Sequence, residues 1–446
     1  MPSAPSALSN SAQPVPPSLW RNSDFRRLWL GQTASQLGEH TSLVILPLIA
    51  VLTLNAEASE LGAVRAVAQA PILLLSLFVG AWVDRWRTRT VMVLADLGRT
   101  LALAGAVLAV LYGFGLPALL VVAFAVGALS VFFDVAYQSS LVRLVGRDQL
   151  VRGNSALEGS RSAAQIGGPA IGGALVSLLS APIAAASCAL FFALSCLSIR
   201  PIRRRESILG HSERPSPVWR RIHDGLRFII SDTSLRTVCL ASAAFNFFFA
   251  ATMTAYLLFL PRELYLSGAA MGVALAATGP GALVGSLLAA HLPRRFGHGI
   301  VLVSAAALGD GVMLCVPALH GPSTVTIPLL MAVNFVFGAF GQLVNVTVHA
   351  VRQAATPDGL QGRAAATITF VGMGLTPLGS LLGGYLADEW GLRTSLLVTA
   401  AGMMLSPLLM VLSPLARLGR ALPAPHDALP TATPPQSAAP KHPPGR

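Results

Sequence analysis

A handful of ionisable side chains lie inside otherwise apolar stretches of this chain, and they are the residues able to do chemistry: Glu39, His40, Asp96, Arg99, Asp134, Glu158, Arg161 and Asp310. Glu39 sits near the middle of a long apolar run. A carboxylate out of water is costly to keep charged, so it can take a proton from one side and release it to the other. Glu39 is therefore the candidate proton carrier; the alternative is a carboxylate held in place by Gln36 or by a neighbouring helix. His40 points about 100° away from it on a helix and reads as a packed polar residue. Asp96 and Arg99, and likewise Glu158 and Arg161, are three residues apart on one helical face, where each can neutralise its partner. These pairs read as structural ion pairs, with gating as the other role. Asp310 has no sequence-local partner and stays unassigned, and His349 reads as an interfacial histidine.

The setting for these groups is a membrane. The chain has 446 residues, 54% hydrophobic and 11% charged, and its mean hydropathy of +0.65 lies outside the range of soluble domains. Apolar stretches of membrane-crossing length predict an all-α integral membrane protein of about twelve helices, starting near Leu28, Leu61, Thr90, Pro117, Ala156, Pro182, Leu235, Ala269, Gly299, Val325, Ala364 and Thr394. The net charge of +12 is explained by basic residues at the ends of these stretches. Their distribution places both termini in the cytoplasm and the protein in the cell membrane, and argues against nucleic acid. The four cysteines fall inside apolar segments and read as small packing residues, so neither disulfides, a metal nor any cofactor is implied.

The organisation is bipartite: a disordered tail (1–19), six helices (20–199), a basic linker (200–234), six more helices (235–416) and a Pro-rich tail (417–446). In the linker, Trp219, Ile222, Leu226 and Ile229 alternate with arginines, which suits either a surface helix or a passive tether. The helices also repeat in threes. The second, fifth, eighth and eleventh each carry a proline and glycines (Pro71 and Gly80; Pro169 and Gly172; Pro280 and Gly285; Pro377 and Gly383). In the fifth, Ser160, Ala164, Gly168 and Gly172 make a smooth stripe against which another backbone can lie, and Pro169 predicts a bend.

The first, fourth, seventh and tenth helices carry polar or aromatic stripes instead. These are Gln32, Ser35, Gln36 and Glu39; Ser130 and Asp134; Asn246, Phe249, Met253 and Tyr256; and Asn334 and Gln342. Polar groups face lipid at high cost, so these four helices are expected to line a shared cavity. The cargo-facing candidates, Gln32, Gln36, Asn246, Phe249, Met253, Tyr256, Asn334 and Gln342, suit a bulky, mostly lipophilic molecule. Repeats, two halves and a central polar cavity describe an alternating-access transporter.

Other classes are excluded by composition. The only lysine, Lys441, lies in the tail, so no phosphate-cradling loop exists for an ATP-driven pump. No convergent nucleophile, base or metal-ligand set marks an enzyme. Uptake by the same fold and a non-transporting receptor or scaffold are the alternatives to export.

Several motifs resemble those of the major facilitator superfamily. Gly80, Asp84, Arg85, Arg87 and Arg89 resemble its loop after the second helix, with Arg87 in place of a glycine and Thr88 in place of an arginine. The resemblance implies a conformational latch through Asp84, with Asp134 engaging Arg87 or Arg89. Gly168-Pro169-x-x-Gly172-Gly173 resembles the fifth-helix motif of proton-coupled exporters. Phe133-Asp134-Val135-Ala136-Tyr137-Gln138-Ser139, Leu157-Glu158-x-Ser160-Arg161 and Arg352-Gln353 with Thr356-Pro357-Asp358 are similar to the branch of drug:proton antiporters that includes macrolide-efflux and enterobactin-exporter proteins. This resemblance implies a monomeric exporter of a drug, natural product or siderophore in exchange for protons.

Overall fold

The computed structural model describes residues 19–83, 86–144, 149–202, 227, 230, 233–321, 325–355 and 370–420. Asp84 and Arg85, Thr356-Pro357-Asp358, nearly all of the linker, residues 1–18 and residues 421–446 lie outside them; residues 417–420, expected to belong to a disordered tail, are ordered, with Leu418 and Gly419 accepting from the N–H groups of Gly299 and His298. Twelve helical passes follow in order: α1 (Ser23–Leu52), α2 (Ala58–Val83), α3 (Thr88–Leu111), α4 (Gly115–Leu144), α5 (Leu150–Leu178) and α6 (Ala181–Ile199), then α7 (Thr233–Arg262), α8 (Gly268–Phe296), α9 (His298–Ala318), α10 (Thr326–Ala355), α11 (Phe370–Trp390) and α12 (Leu392–Val411). Ten are long and apolar enough to cross a membrane; α5 is diluted by Arg152, Glu158 and Arg161, and α6 is short. The expected starts hold to within a turn or so, except that α1 begins five residues earlier and α5 six; the expected start of the eleventh, Ala364, lies outside the described residues. The first extends because Asn22 caps it, its side chain accepting from the N–H groups of Asp24 and Phe25. Pro169 lies inside an unbroken α5.

The outer surface is apolar, with Leu101, Leu111, Leu190, Leu287 and Leu408 each more than half exposed, as lipid-facing residues are. The first six helices pack among themselves, α1 against α5 and α6 and α4 against α2 and α3. In the second six, α8 lies along α10 and α7 against α11 and α12. The two sets meet along α2 with α11 and α5 with α8, the helices that carry the proline and glycine repeats.

Glycine permits these approaches. A Cβ on Gly62 would come 2.7 Å from the Ser380 carbonyl oxygen, one on Gly384 2.5 Å from that of Ala58, and one on Gly173 2.5 Å from that of Gly272. The small stripe of α5 lies on α1, where Gly168 faces His40 and Gly172 faces Thr41 and Val44. So the smooth face serves packing within the first half, and Gly173, one residue round, serves the seam.

The halves are sealed at the end remote from the chain termini. There Arg262, ending α7, donates to the Ala56 carbonyl at 2.7 Å, and the Ser59 N–H donates to Asp388 at 2.9 Å. Both participating loops have one shape. Asn55 and Tyr265 each adopt φ of 53°, and each is followed by an N–H that reaches six residues back, Ala56 to Ala50 and Leu266 to Leu260. This is a left-handed helix cap repeated in the two halves.

Gly285 of α8 packs on the Ala339 carbonyl of α10 with no room for a Cβ. Gly285→Val is expected to lower the thermal midpoint of the purified protein by an amount equivalent to about 1–3 kcal/mol, read by fluorescence-detected size exclusion after heating. Gly105→Ala, which meets open space, serves as the neutral control.

Candidate functional site

The first half is built round Arg99. Its side chain is fully buried where α1, α3, α4 and α6 converge, and it donates from Nη2 to Asp96 Oδ1 at 2.5 Å and to Ser35 at 2.7 Å, and from Nη1 to Ser130 at 3.2 Å. Glu39 approaches Nη1 at 3.6 Å, so one guanidinium is shared by two carboxylates. Phe192 and Phe133 clamp its faces, their ring centroids 4.3 and 4.6 Å from Cζ. Ser195 donates to the second Asp96 oxygen at 2.5 Å. The sequence spacing identified the Asp96–Arg99 pair, whereas Ser35 and Ser130, expected to line a cavity, turn inward to complete this cradle.

A second group of charges stands beside it. Gln36 donates to Asp134 Oδ1 at 2.8 Å, and the charges acting on Asp134 are Glu39, Arg161 and Arg99. Tyr137, Asp134, Glu158 and Glu39 all act electrostatically on Arg161. Asp134 thus stands with the carboxylate of α1, away from the loop arginines expected as its latch partners: Arg87 is exposed and Arg89 donates to the Ile202 carbonyl. The reason is register, since Asp134 lies ten residues before the end of α4, deep in the half. Glu158 is exposed and acts on Arg161 together with Asp134 and Glu39, so the expected pair is one side of a larger cluster. Gly80 lies in the last turn of α2; Asp84 and Arg85 lie outside the described residues.

Across the seam, His349 and Arg352 of α10 both feel Glu158 and Arg161 of α5, and Arg352 Nη2 is 3.0 Å from His349 Nδ1. The acid–base cluster therefore opens toward the other half. That half offers an aromatic ladder. Phe249 stacks on Phe245 at 5.4 Å and on Phe337 at 5.5 Å, with interplanar angles of 8° and 12°. All three rings are half-buried, and Met253 lies one turn on. Phe245 and Phe337 were missed from sequence; their spacing to Phe249 and Asn334, four and three residues, was the available signal.

Other cavity candidates are corrected. Tyr256 and Asn334 are buried and bonded to each other, Asn334 Nδ2 donating to the Tyr256 hydroxyl at 2.7 Å, so they tie α7 to α10 instead of facing cargo. Gln32 is fully buried and accepts from Ser160 at 3.0 Å, joining α1 to α5. Asn246 returns its amide to the Ser242 carbonyl, and Gln342 accepts from Asn345 at 3.5 Å; both remain half-buried. Asp310 of α9 is buried with Oδ2 unpartnered. Among the described residues no cluster of His, Cys, Asp or Glu suits a metal.

A family model described as a transmembrane secretion effector matches residues 15–437. The chain belongs to the major facilitator superfamily. It is a multi-pass membrane transporter and not an enzyme. It is 30% identical over 401 residues to the multidrug efflux pump Tap of Mycobacterium tuberculosis, covering 85% of this chain and 91% of that one. With the pump of the same name from Mycolicibacterium fortuitum it shares 28% over 402 residues, 85% and 93% of the two chains. Among solved structures, the nucleoside transporter NupG aligns with a TM-score of 0.66 at 14% identity, over 87% and 98% of the chains. A bacterial homologue of the lysosomal transporter Spinster, inward-facing and occupied, aligns with 0.67 at 13%, over 90% and 97%. These last two likenesses concern the fold.

Removing Arg99 strands the buried Asp96 and leaves the half-buried Glu39 without its arginine. Arg99→Gln is expected to destabilise the protein by about 3–5 kcal/mol, and Asp96→Asn/Arg99→Gln by less. Thermal midpoints of the two variants check this order.

Proposed function

We propose that this transporter exports small, mostly lipophilic molecules in exchange for protons by alternating access, with Glu39 and Asp134 as the proton-carrying carboxylates. The observation that carries this reading is a charge imbalance. Inside the first half, three acids (Asp96, Glu39 and Asp134) share two arginines (Arg99 and Arg161). Asp96 is saturated by Arg99, Ser35 and Ser195. Glu39 holds Arg99 only at the longer distance and keeps one oxygen without a hydrogen bond. A surplus negative charge in a low-dielectric interior is relieved by one proton, and Glu39 is the acid least committed elsewhere.

The rest of the cycle follows from the seam. With the termini in the cytoplasm, as the basic residues favour, the sealed end is external and the cluster opens inward. Cargo enters from the cytoplasm or inner leaflet against the Phe245–Phe249–Phe337 ladder. Proton loss from the acid cluster then lets Arg161 and Arg99 draw the carboxylates closer and repack α1, α4 and α5. The small-residue seams, α2 on α11 and α5 on α8, are where the halves rock, and the loop of Gly80, Asp84, Arg85, Arg87 and Arg89 latches the opposite state. The relatives' description as multidrug efflux pumps supports export over uptake. One proton driven by 100 mV supplies about 2.3 kcal/mol, enough for about a fifty-fold gradient of neutral cargo.

Cells expressing the protein are expected to accumulate less of a lipophilic dye such as ethidium, and an uncoupler to abolish the difference. Glu39→Gln should remove uncoupler-sensitive efflux, about a tenfold or greater loss, while purified protein still binds the dye. Efflux by Glu39→Gln at the wild-type rate under a pH gradient contradicts the assignment.

A further inference from the structure

A separate set of polar groups lies on the α2–α11 seam, distant from the acid cluster. Arg65 stands two turns into α2. Among the described residues its guanidinium has no hydrogen bond and no carboxylate partner, and its Nε is buried and unpartnered. On α11, Ser380 is fully buried and Thr376 nearly so, and neither hydroxyl has a partner. A hydroxyl inside a helix ordinarily returns to the carbonyl four residues back. Thr252, Thr254, Thr347 and Thr399 all do so here.

The packing of the two helices puts these groups within about one turn of each other along the seam. Ala58 faces Gly384 and Gly62 faces Ser380, so the helices run antiparallel, and one further turn brings Thr376 level with residues 65–66. At that level the proline at 377 interrupts the hydrogen bonding of α11 for one residue, Leu375, whose backbone stays right-handed helical. An unpaired guanidinium and two unused hydroxyls favour negative charge. None supplies it, and keeping an isolated cation there is expensive.

We propose that Arg65, Thr376 and Ser380 form a binding site for an anionic group, a carboxylate or sulfonate, carried by the cargo. The inference deepens the export reading and rests on it. Arg65 comes from one half and the hydroxyls from the other, so the site exists only while the far end is closed. Opening that end separates the guanidinium from the hydroxyls and weakens the hold on the anion where it is to be released.

The test uses the full-length protein in detergent, with thermal stabilisation as the measure of binding. The probes are 1-pyrenebutyrate, its methyl ester, and sodium chloride alone. Wild type is expected to bind the acid about tenfold more tightly than the ester. Arg65→Gln should lose that preference and keep the ester's affinity, Arg65→Lys should retain most of it, and Thr376→Val/Ser380→Ala should reduce it. Equal binding of acid and ester, or a preference untouched by both Arg65→Gln and the hydroxyl variant, overturns the site. Stabilisation by chloride that vanishes in Arg65→Gln and competes with the acid assigns the site to a free anion and overturns its role in cargo recognition. If Arg65→Gln does not fold, the lysine and hydroxyl variants decide. Binding is read without proton flux, so failure of proton-driven export leaves this result standing or falling by itself.

Discussion

One guanidinium shared by two carboxylates organises the first half of this transporter. A charge removed from water must find partners or be neutralised, and Arg99 finds Asp96, Ser35, Ser130 and Glu39, with two phenyl rings over its faces. These groups come from α1, α3, α4 and α6, so one electrostatic requirement fixes four helices relative to one another. What it leaves incompletely satisfied is Glu39. Structure and function are linked at that point, because the acid that Arg99 holds least well is the one free to exchange a proton.

The two halves share a frame and divide the chemistry. The caps at Asn55 and Tyr265 repeat in backbone angle and hydrogen bonding, and proline-bearing helices from each half form the seams. Yet the first half concentrates ionisable groups, and the second presents stacked rings. Such a division suits a lipophilic cargo, which gains from apolar and aromatic contact while charge moves on the opposite wall. The seam itself is held by close backbone contact, by a few polar links, including those of Arg262 and Ser59, and by a buried apolar cluster that takes in Ile45, Leu48 and Leu61 of one half and Leu258, Leu260 and Met271 of the other.

Much of this was legible in the sequence, for reasons that differ by residue. Helix number follows from apolar length, and the two-half plan from the long basic linker between two sets of six helices and their repeat in threes. Asp96 with Arg99 was legible because partners three apart share a helix face and can meet. Ser35 and Ser130 were not, because a polar residue on a membrane helix can face a cavity or a buried charge, and only tertiary packing chooses. Tyr256 and Asn334 were misread in the same way: each looks cargo-facing until the other is found 2.7 Å away. Asp134 was assigned to the loop through motif resemblance, whereas its position along α4 brings it to Gln36. The Phe245–Phe249–Phe337 ladder joins two helices that are about ninety residues apart in sequence, so local spacing places each ring on its helix face but does not reveal the stack.

The central claim is that cargo and proton compete through the acid cluster of the first half. The most direct measurement is proton release from lightly buffered purified protein, followed with a pH-sensitive dye as ethidium is added. The account predicts a saturable release that tracks ethidium binding and is lost in the Glu39→Gln/Asp134→Asn variant. Binding without any proton release, or release undiminished in that variant, would contradict it.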